Sequence, residues 1–309
     1  MNTMNTNPEA AEALLPGDVL LMLGHGELSK LIAWCGDSIY SHAAIVADDG
    51  NLIEAAASGV RRYSIATRLA DTNEYFFIDA FRPLAKDGSG FNEADRAAVL
   101  AHAISLLGIP YPLDSLATLG VLVAVRQKWP EHWLARIVVR EALDHLVKNN
   151  PSHMVCSEVV YRSLAECTVT PFARLAPVVV LADPTHEPFP HVDWKALWDE
   201  VWPLLHPTRK TALAATAAQI QAKPAALMAT GPAAVSDQDL AESTRAARAV
   251  LGLDPSTTAN DNGALLHEAS EEGRPGTPIP NPNPKLVTPL DLAITPSHTV
   301  IGRLMQASN

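Results

Sequence analysis

Three short segments, far apart in the chain, carry residue types that suggest thiol chemistry. Cys156 begins the segment CSEVVY, which has the pattern of a helix N-terminus. His42 stands at the entrance of an apolar run, residues 41–46, and Glu54 lies within the next run, residues 52–56. A thiol at a helix N-terminus and an imidazole on a strand are the two halves of a cysteine nucleophile. The residue types therefore predict a hydrolase with a Cys-His-Glu site.

Each of the three side chains has a distinct expected role. The free N–H groups and partial positive charge of a helix N-terminus stabilise a thiolate at Cys156. His42 is expected to pair with that thiolate and later to protonate the leaving group. Glu54 is expected to hold the imidazole in one tautomer. The backbone N–H of Cys156 is the predicted first oxyanion donor, and the sequence identifies no second one.

The length of one hairpin loop decides whether this site forms. A three-residue loop, Asp48-Asp49-Gly50, pairs Ala44 with Glu54 and puts His42 and Glu54 on one face as diagonal neighbours. A two-residue loop at Asp49-Gly50 instead pairs Ile45 with Glu54 and turns the carboxylate to the opposite face.

Taken one at a time, these residues also have ordinary structural interpretations. Most buried cysteines are inert small hydrophobic residues. A histidine beside an apolar run is commonly a core or edge residue, and a glutamate in a strand can mark its solvated face. Cys35 and Cys167 are interpreted as structural. His25 is interpreted as part of a surface loop, with the rim of the cleft as the alternative. His153 is interpreted as a loop residue that points away from the thiol, with a competing base as the alternative.

The pattern of elements predicts an α+β fold, because strands come first and helices follow. The predicted strands are residues 19–23, 41–47, 51–56, 59–64 and 75–82, and the predicted helices are residues 27–34, 93–107, 113–127, 131–147, 155–166 and 193–202.

Three regions are expected along the chain. Residues 1–14 form an N-terminal extension and residues 15–210 the hydrolase domain. Residues 211–309 read as a low-complexity, Ala- and Pro-rich region, partly helical or disordered. Its predicted helices are residues 212–229 and 237–251, and residues 273–284 are expected to be extended or disordered. Because Trp202 is the last aromatic residue, this tail is poorly equipped to build its own core, and its deletion is expected to leave the domain folded.

Composition limits the functional classes. The net charge is −11 without a basic stripe, which argues against nucleic-acid binding. Three cysteines without a CxxC pair indicate neither a disulfide framework nor a zinc site, and no cofactor is predicted. The first 16 residues lack the basic and apolar regions of a Sec-type signal peptide, so synthesis in the cytoplasm is expected. The apolar run at residues 116–125 is too short to span a bilayer.

An ordered series of segments resembles a known family, the circularly permuted NlpC-like cysteine hydrolases, the YiiX-like branch of the papain-like superfamily. The series is Pro16-Gly17-Asp18-Val19-Leu20, Tyr40-Ser41-His42-Ala43-Ala44-Ile45-Val46, Ile53-Glu54-Ala55, Gly108-Ile109-Pro110-Tyr111 and Cys156-Ser157-Glu158-Val159-Val160. The resemblance covers roughly residues 15–183, and the histidine strand precedes the cysteine helix, the reverse of the usual papain order. It implies a small antiparallel sheet packed against the cysteine helix.

The resemblance also implies an activity, hydrolysis of an amide, often in bacterial cell-wall peptides. By position it assigns Cys156 as nucleophile, His42 as base and Glu54 as orienting acid. Tyr111 matches a tyrosine near the cleft of this family and becomes a candidate substrate-binding residue, with a structural turn aromatic as the alternative. No metal is implied at the site.

One departure leaves the substrate class open. Two inserted apolar helices, residues 113–147, are interpreted either as part of the packed core or as the wall of an acyl-chain groove. The second interpretation follows from the lecithin:retinol acyltransferase-like relatives of the family, which act on acyl chains. The hypotheses are therefore a peptidoglycan amidase or endopeptidase, a lipid-acting thiol enzyme (phospholipase or acyltransferase), and a catalytically silent binding module. The tail suggests a delivery or inhibitory protein partner and export by a specialised secretion system, as for a bacterial effector.

Overall fold

The computed structural model describes residues 4–56, 59–109, 115–149, 156–183, 188–205, 235–253 and 274–307. Within these ranges the chain forms a seven-stranded antiparallel sheet with the order β1-β7-β6-β2-β3-β4-β5. The strands are β1 (Met4–Thr6), β2 (Val19–Gly24), β3 (His42–Val46), β4 (Asn51–Ala56), β5 (Gly59–Ser64), β6 (Tyr75–Pro83) and β7 (His298–Ala307). The predicted α+β class is confirmed.

The helices surround this sheet and also pack on one another. They are α1 (Pro8–Glu12), α2 (Glu27–Cys35), α3 (Ile65–Ala70), α4 (Glu93–Ser105), α5 (Ser115–Arg126), α6 (Trp133–Asn149), α7 (Cys156–Ala165), α8 (Trp194–Leu205), α9 (Asp237–Val250) and α10 (Pro289–Ile294), with a 3₁₀ turn at Pro284–Leu286. The helix start predicted at Glu93 is confirmed, and a capping box precedes it, in which the side chains of Asn92 and Asp95 each accept the other residue's backbone N–H.

Strands β2, β3 and β4 are buried on both faces, which explains their nearly continuous apolar runs. Successive side chains along a strand point to opposite faces. One face, with Leu21, Ala43 and Ile53, belongs to the large core that includes α7. The other face, with Ala44 and Leu52, belongs to a smaller core.

The inserted helices are packed by protein. Helix α5 contacts α2, α6 and α9. Gly120 lets α5 and α6 approach closely, since a Cβ at this position would lie 2.5 Å from the carbonyl oxygen of Ala142. Leu116, Leu119 and Val123 are fully buried. The apolar character of α5 on several faces is therefore accounted for by three neighbouring helices.

One part of the predicted domain division is wrong. Strand β7 pairs with β6 from Phe77–Gln306 to Pro83–His298, and β1 pairs with β7. Leu304 and Met305 are fully buried in the smaller core. The terminal segments thus belong to the sheet of the predicted hydrolase domain, although they lie outside residues 15–210. Lack of aromatic residues misled the prediction, because aliphatic side chains suffice when a segment adds to an existing core.

The predicted helix at residues 237–251 is confirmed as α9. Residues 277–279 of the proline-rich stretch lie extended beside residues 179–181, with Ile279 N–H donating to the Val179 carbonyl at 2.8 Å. The predicted helix at residues 212–229 lies outside the described residues.

Candidate active site

The β3–β4 hairpin has the predicted register. Ala44 lies opposite Glu54, and Ile45 lies opposite Ile53. The loop closes with the Ala47 N–H donating to the Asn51 carbonyl at 2.8 Å, and Gly50 has the left-handed φ of 68° that this loop requires. The three-residue loop is confirmed, so the Glu54 side chain lies on the face that His42 also uses.

His42 and Glu54 are in direct contact. The imidazole Nε2 lies 3.0 Å from Glu54 Oε2. The Glu54 side chain is 1% exposed and that of His42 is 18% exposed, so the contact is largely shielded from water.

Cys156 is the first residue of α7, as predicted, and it is 5% exposed. Burial alone would raise the pKa of the thiol. Hydrogen bonds with the His42 side chain and with the backbone at Ala43 and Ser157, together with the charge of the imidazolium, reverse this effect and lower the thiol pKa. The structure therefore brings Cys156, His42 and Glu54 together.

The same contacts shift the pKa values of His42 and Glu54. Burial opposes a charged imidazole, but hydrogen bonds and charge interactions with Cys156 and Glu54 raise the pKa of His42 above its ordinary value. Burial likewise opposes a charged Glu54, but His42, Arg68 and Arg61 lower its pKa to about 2. This arrangement favours a thiolate–imidazolium pair beside an ionised carboxylate.

Two arginines at the site were missed in the sequence prediction. Arg61 donates to Glu54 Oε1 from Nε at 3.1 Å and from Nη2 at 2.8 Å. Arg68, 1% exposed, donates to the same oxygen at 2.5 Å. The position of Arg61 opposite Glu54 in the β4–β5 register gave a usable signal. Arg68 lies on α3, which the sequence analysis did not predict, so no pattern pointed to it.

The C-terminal segment holds the helix that carries the thiol. Ser157 donates from Oγ to the backbone carbonyl of Val287 at 2.7 Å, and both residues are buried. Helix α7 also packs against the 3₁₀ turn Pro284–Leu286 and against α10. Residues assigned to the tail thus contact the residue next to Cys156.

The structure describes only some of the remaining candidates. Tyr111, the predicted substrate-binding residue, and His153 lie outside the described residues. The ring of His25 packs on Phe76 with 3.7 Å between centroids. Cys35 and Cys167 are free and buried, and burial raises their pKa to about 12 and about 11.

The described ranges bear on two further features, metal ligands and membrane spans. No group of three or more His, Cys, Asp or Glu side chains there is placed to hold a metal ion. In the same ranges, no helix combines the length and the apolar character that crossing a bilayer requires.

Comparison with known proteins reveals a distant structural similarity. No protein-family model and no curated protein matches the chain. Among solved structures, the chain is similar to the metalloprotein YiiX from Escherichia coli O157:H7, DUF1105, with 17% identity and a TM-score of 0.31. The match covers 49% of this chain and 65% of that one, slightly less than two thirds of its length.

Proposed function

We propose that the protein is a cysteine hydrolase with Cys156 as nucleophile, His42 as general base and acid, and Glu54 as the orienting carboxylate. The observation that carries the proposal is the position of His42, which contacts Glu54 at 3.0 Å and whose pKa is raised by its interactions with Cys156 and Glu54. An imidazole held between a thiol and a carboxylate is the arrangement that activates a thiol nucleophile.

The proposed reaction begins with attack of the Cys156 thiolate on the carbonyl carbon of an amide. The carbonyl becomes an oxyanion beside the N-terminus of α7, where the Cys156 N–H is the donor we assign. The C–N bond then breaks, and the amine leaves with the proton of the His42 imidazolium. A thioester remains. Water attacks its carbonyl carbon while His42 takes a proton. The C–S bond then breaks, so that a carboxylic acid leaves and the thiolate–imidazolium pair is restored.

For the fold we propose the permuted papain-like, YiiX-like arrangement. Its support is the order of the parts, since His42 on β3 and Glu54 on β4 precede Cys156 on α7 in the chain. It is also supported by the packing of α7 against β3 and β4. We propose a peptide amide of the bacterial cell wall as the substrate, following that resemblance. Because the apolar side chains of α5 are buried against other parts of the protein, they do not call for an acyl chain to cover them, and this favours the peptide substrate.

Purified full-length protein should be incubated in parallel with peptidoglycan sacculi and with phospholipid vesicles. Products are analysed by mass spectrometry, with Cys156→Ala and the matched control Cys167→Ala. We expect new amine and carboxyl termini in stem peptides, lost in Cys156→Ala and retained in Cys167→Ala. Release of fatty acid with intact sacculi contradicts the amide assignment. If neither substrate gives a Cys156-dependent product, hydrolysis of both substrate classes is contradicted.

A further inference from the structure

We propose that Arg68 is a positioning residue of this site, which holds the Glu54 carboxylate so that one oxygen is reserved for His42. The inference rests on the proposed function, because it concerns how the same histidine is oriented. Arg68 itself does not contact the thiol in the described structure, and it acts through Glu54.

The two oxygens of Glu54 have separate partners. Oε1 accepts three guanidinium N–H groups, two from Arg61 and one from Arg68. Oε2 lies against His42 Nε2. A carboxylate fixed on one oxygen by two cations has its plane and rotation set, so its second oxygen is presented in one direction.

Arg68 is the more firmly held of the two cations. Its side chain is 1% exposed, whereas that of Arg61 is 38% exposed. A second Arg68 nitrogen, Nη1, donates to Glu74 at 2.6 Å. Its guanidinium also lies 4.4 Å from the ring centre of Tyr63 and 4.8 Å from that of Tyr75. Arginine is rarely buried to this extent unless it is paired on several sides.

The charged and titratable groups around Glu54 come from several elements. They are His42 on β3, Arg61 and Tyr63 on β5, Arg68 on α3, Glu74 before β6, Tyr75 on β6 and Cys156 on α7. Replacing Arg68 by an apolar residue removes one positive charge from this group. It also frees the carboxylate to rotate away from His42. Both effects disfavour the thiolate, so the pH at which Cys156 becomes reactive should rise.

The test measures the rate of Cys156 alkylation by iodoacetamide against pH in the full-length protein, with each cysteine followed by peptide mass spectrometry. Arg68→Met is expected to move the midpoint up by about one pH unit, which makes alkylation below the midpoint about tenfold slower. Arg68→Lys keeps the charge and should restore most of the rate. Arg62→Met is the matched control, because Arg62 lies on β5 and pairs with Asp48 instead. Its midpoint should not move.

A double-mutant comparison separates positioning from general stability. If Arg68 acts mainly through Glu54, Arg68→Met should add a much smaller shift in a Glu54→Gln background than in the wild-type protein. The double variant also avoids an unpaired buried carboxylate. It can therefore be measured if Arg68→Met alone does not fold. An equal added shift in that background, or a folded Arg68→Met with the wild-type midpoint, overturns the role of Arg68. A wild-type Cys156 that reacts no faster than Cys35 overturns the proposed function as well.

Discussion

His42 and Glu54 meet diagonally across the β3–β4 hairpin, since the residue directly opposite Glu54 is Ala44. Diagonal neighbours in a sheet lie about 7–8 Å apart at the backbone, within reach of two long polar side chains. The contact therefore depends on the three-residue loop.

The first prediction concerns thiol selectivity. Near pH 6.5, iodoacetamide should modify Cys156 first, because its pKa is lowered while burial raises those of Cys35 and Cys167. Labelling of each cysteine is followed by peptide mass spectrometry in the native protein. His42→Ala should slow modification of Cys156 at this pH, and equal labelling of all three cysteines would exclude the nucleophile assignment.

The second prediction concerns acid stability. The folded-state pKa of Glu54 is about 2, below its ordinary value, so its ionised form stabilises the fold. This contribution is present above the unfolded pKa of about 4.3 and is lost as the pH falls towards 2. The stability difference between wild type and Glu54→Gln should therefore be greatest near neutral pH and narrow in acid. Urea unfolding at several pH values measures it, and a difference that grows in acid would contradict the assignment.

How far the sequence could predict this site depends on the element. The hairpin 42–56 was predictable because two apolar runs flank an Asp-Asp-Gly loop. The sequence left the loop at two or three residues, and the structure shows the three-residue register. The start of α7 at Cys156 followed from its helical pattern. The fold could likewise be predicted as α+β from the order of its strands and helices.

The parts of the fold and of the site that the sequence did not predict depend on contacts between residues far apart in the chain. Arg68 reaches Glu54 from the short helix α3, whose six residues carry too little periodicity to be recognised. Strand β7 follows a long polar stretch and alternates only weakly, with Val300 73% exposed and Leu304 buried. Its place beside β6, more than 200 residues earlier, is set by the tertiary fold and not by a local signal.

The third prediction replaces the expectation that the tail is dispensable. Leu304→Ala should lower the free energy of unfolding by about 2–5 kcal/mol, because it leaves a cavity in the smaller core. Val300→Ala on the same strand is the control and should change little. Denaturant unfolding compares the two variants. Equal stability of both would mean that β7 does not complete the sheet in solution.

The fourth prediction concerns the anchor of the cysteine helix. Ser157→Ala removes the hydrogen bond to the buried Val287 carbonyl and should cost about 1–3 kcal/mol of stability. Because Ser157 adjoins Cys156, its loss should also slow Cys156 alkylation. Ser163→Ala is the matched control, since its hydroxyl bonds within α7 to the Val159 carbonyl. If both variants alkylate at the wild-type rate, the tail stabilises the fold without positioning the thiol.

The last prediction concerns the substrate. Leu119 is fully buried where α5 meets its neighbouring helices, so Leu119→Ala should destabilise the protein by about 2–5 kcal/mol. If α5 serves only as packing, the rate per folded molecule on sacculi should not change. Ile104→Ala on α4, where the side chain is 37% exposed, controls for loss of a helical aliphatic group. The measurement pairs an unfolding curve with hydrolysis assays on sacculi and vesicles at a temperature where both variants are folded. Selective loss of vesicle hydrolysis in Leu119→Ala, with stability unchanged, would show that α5 lines an acyl-chain site and would reverse the preference for a peptide.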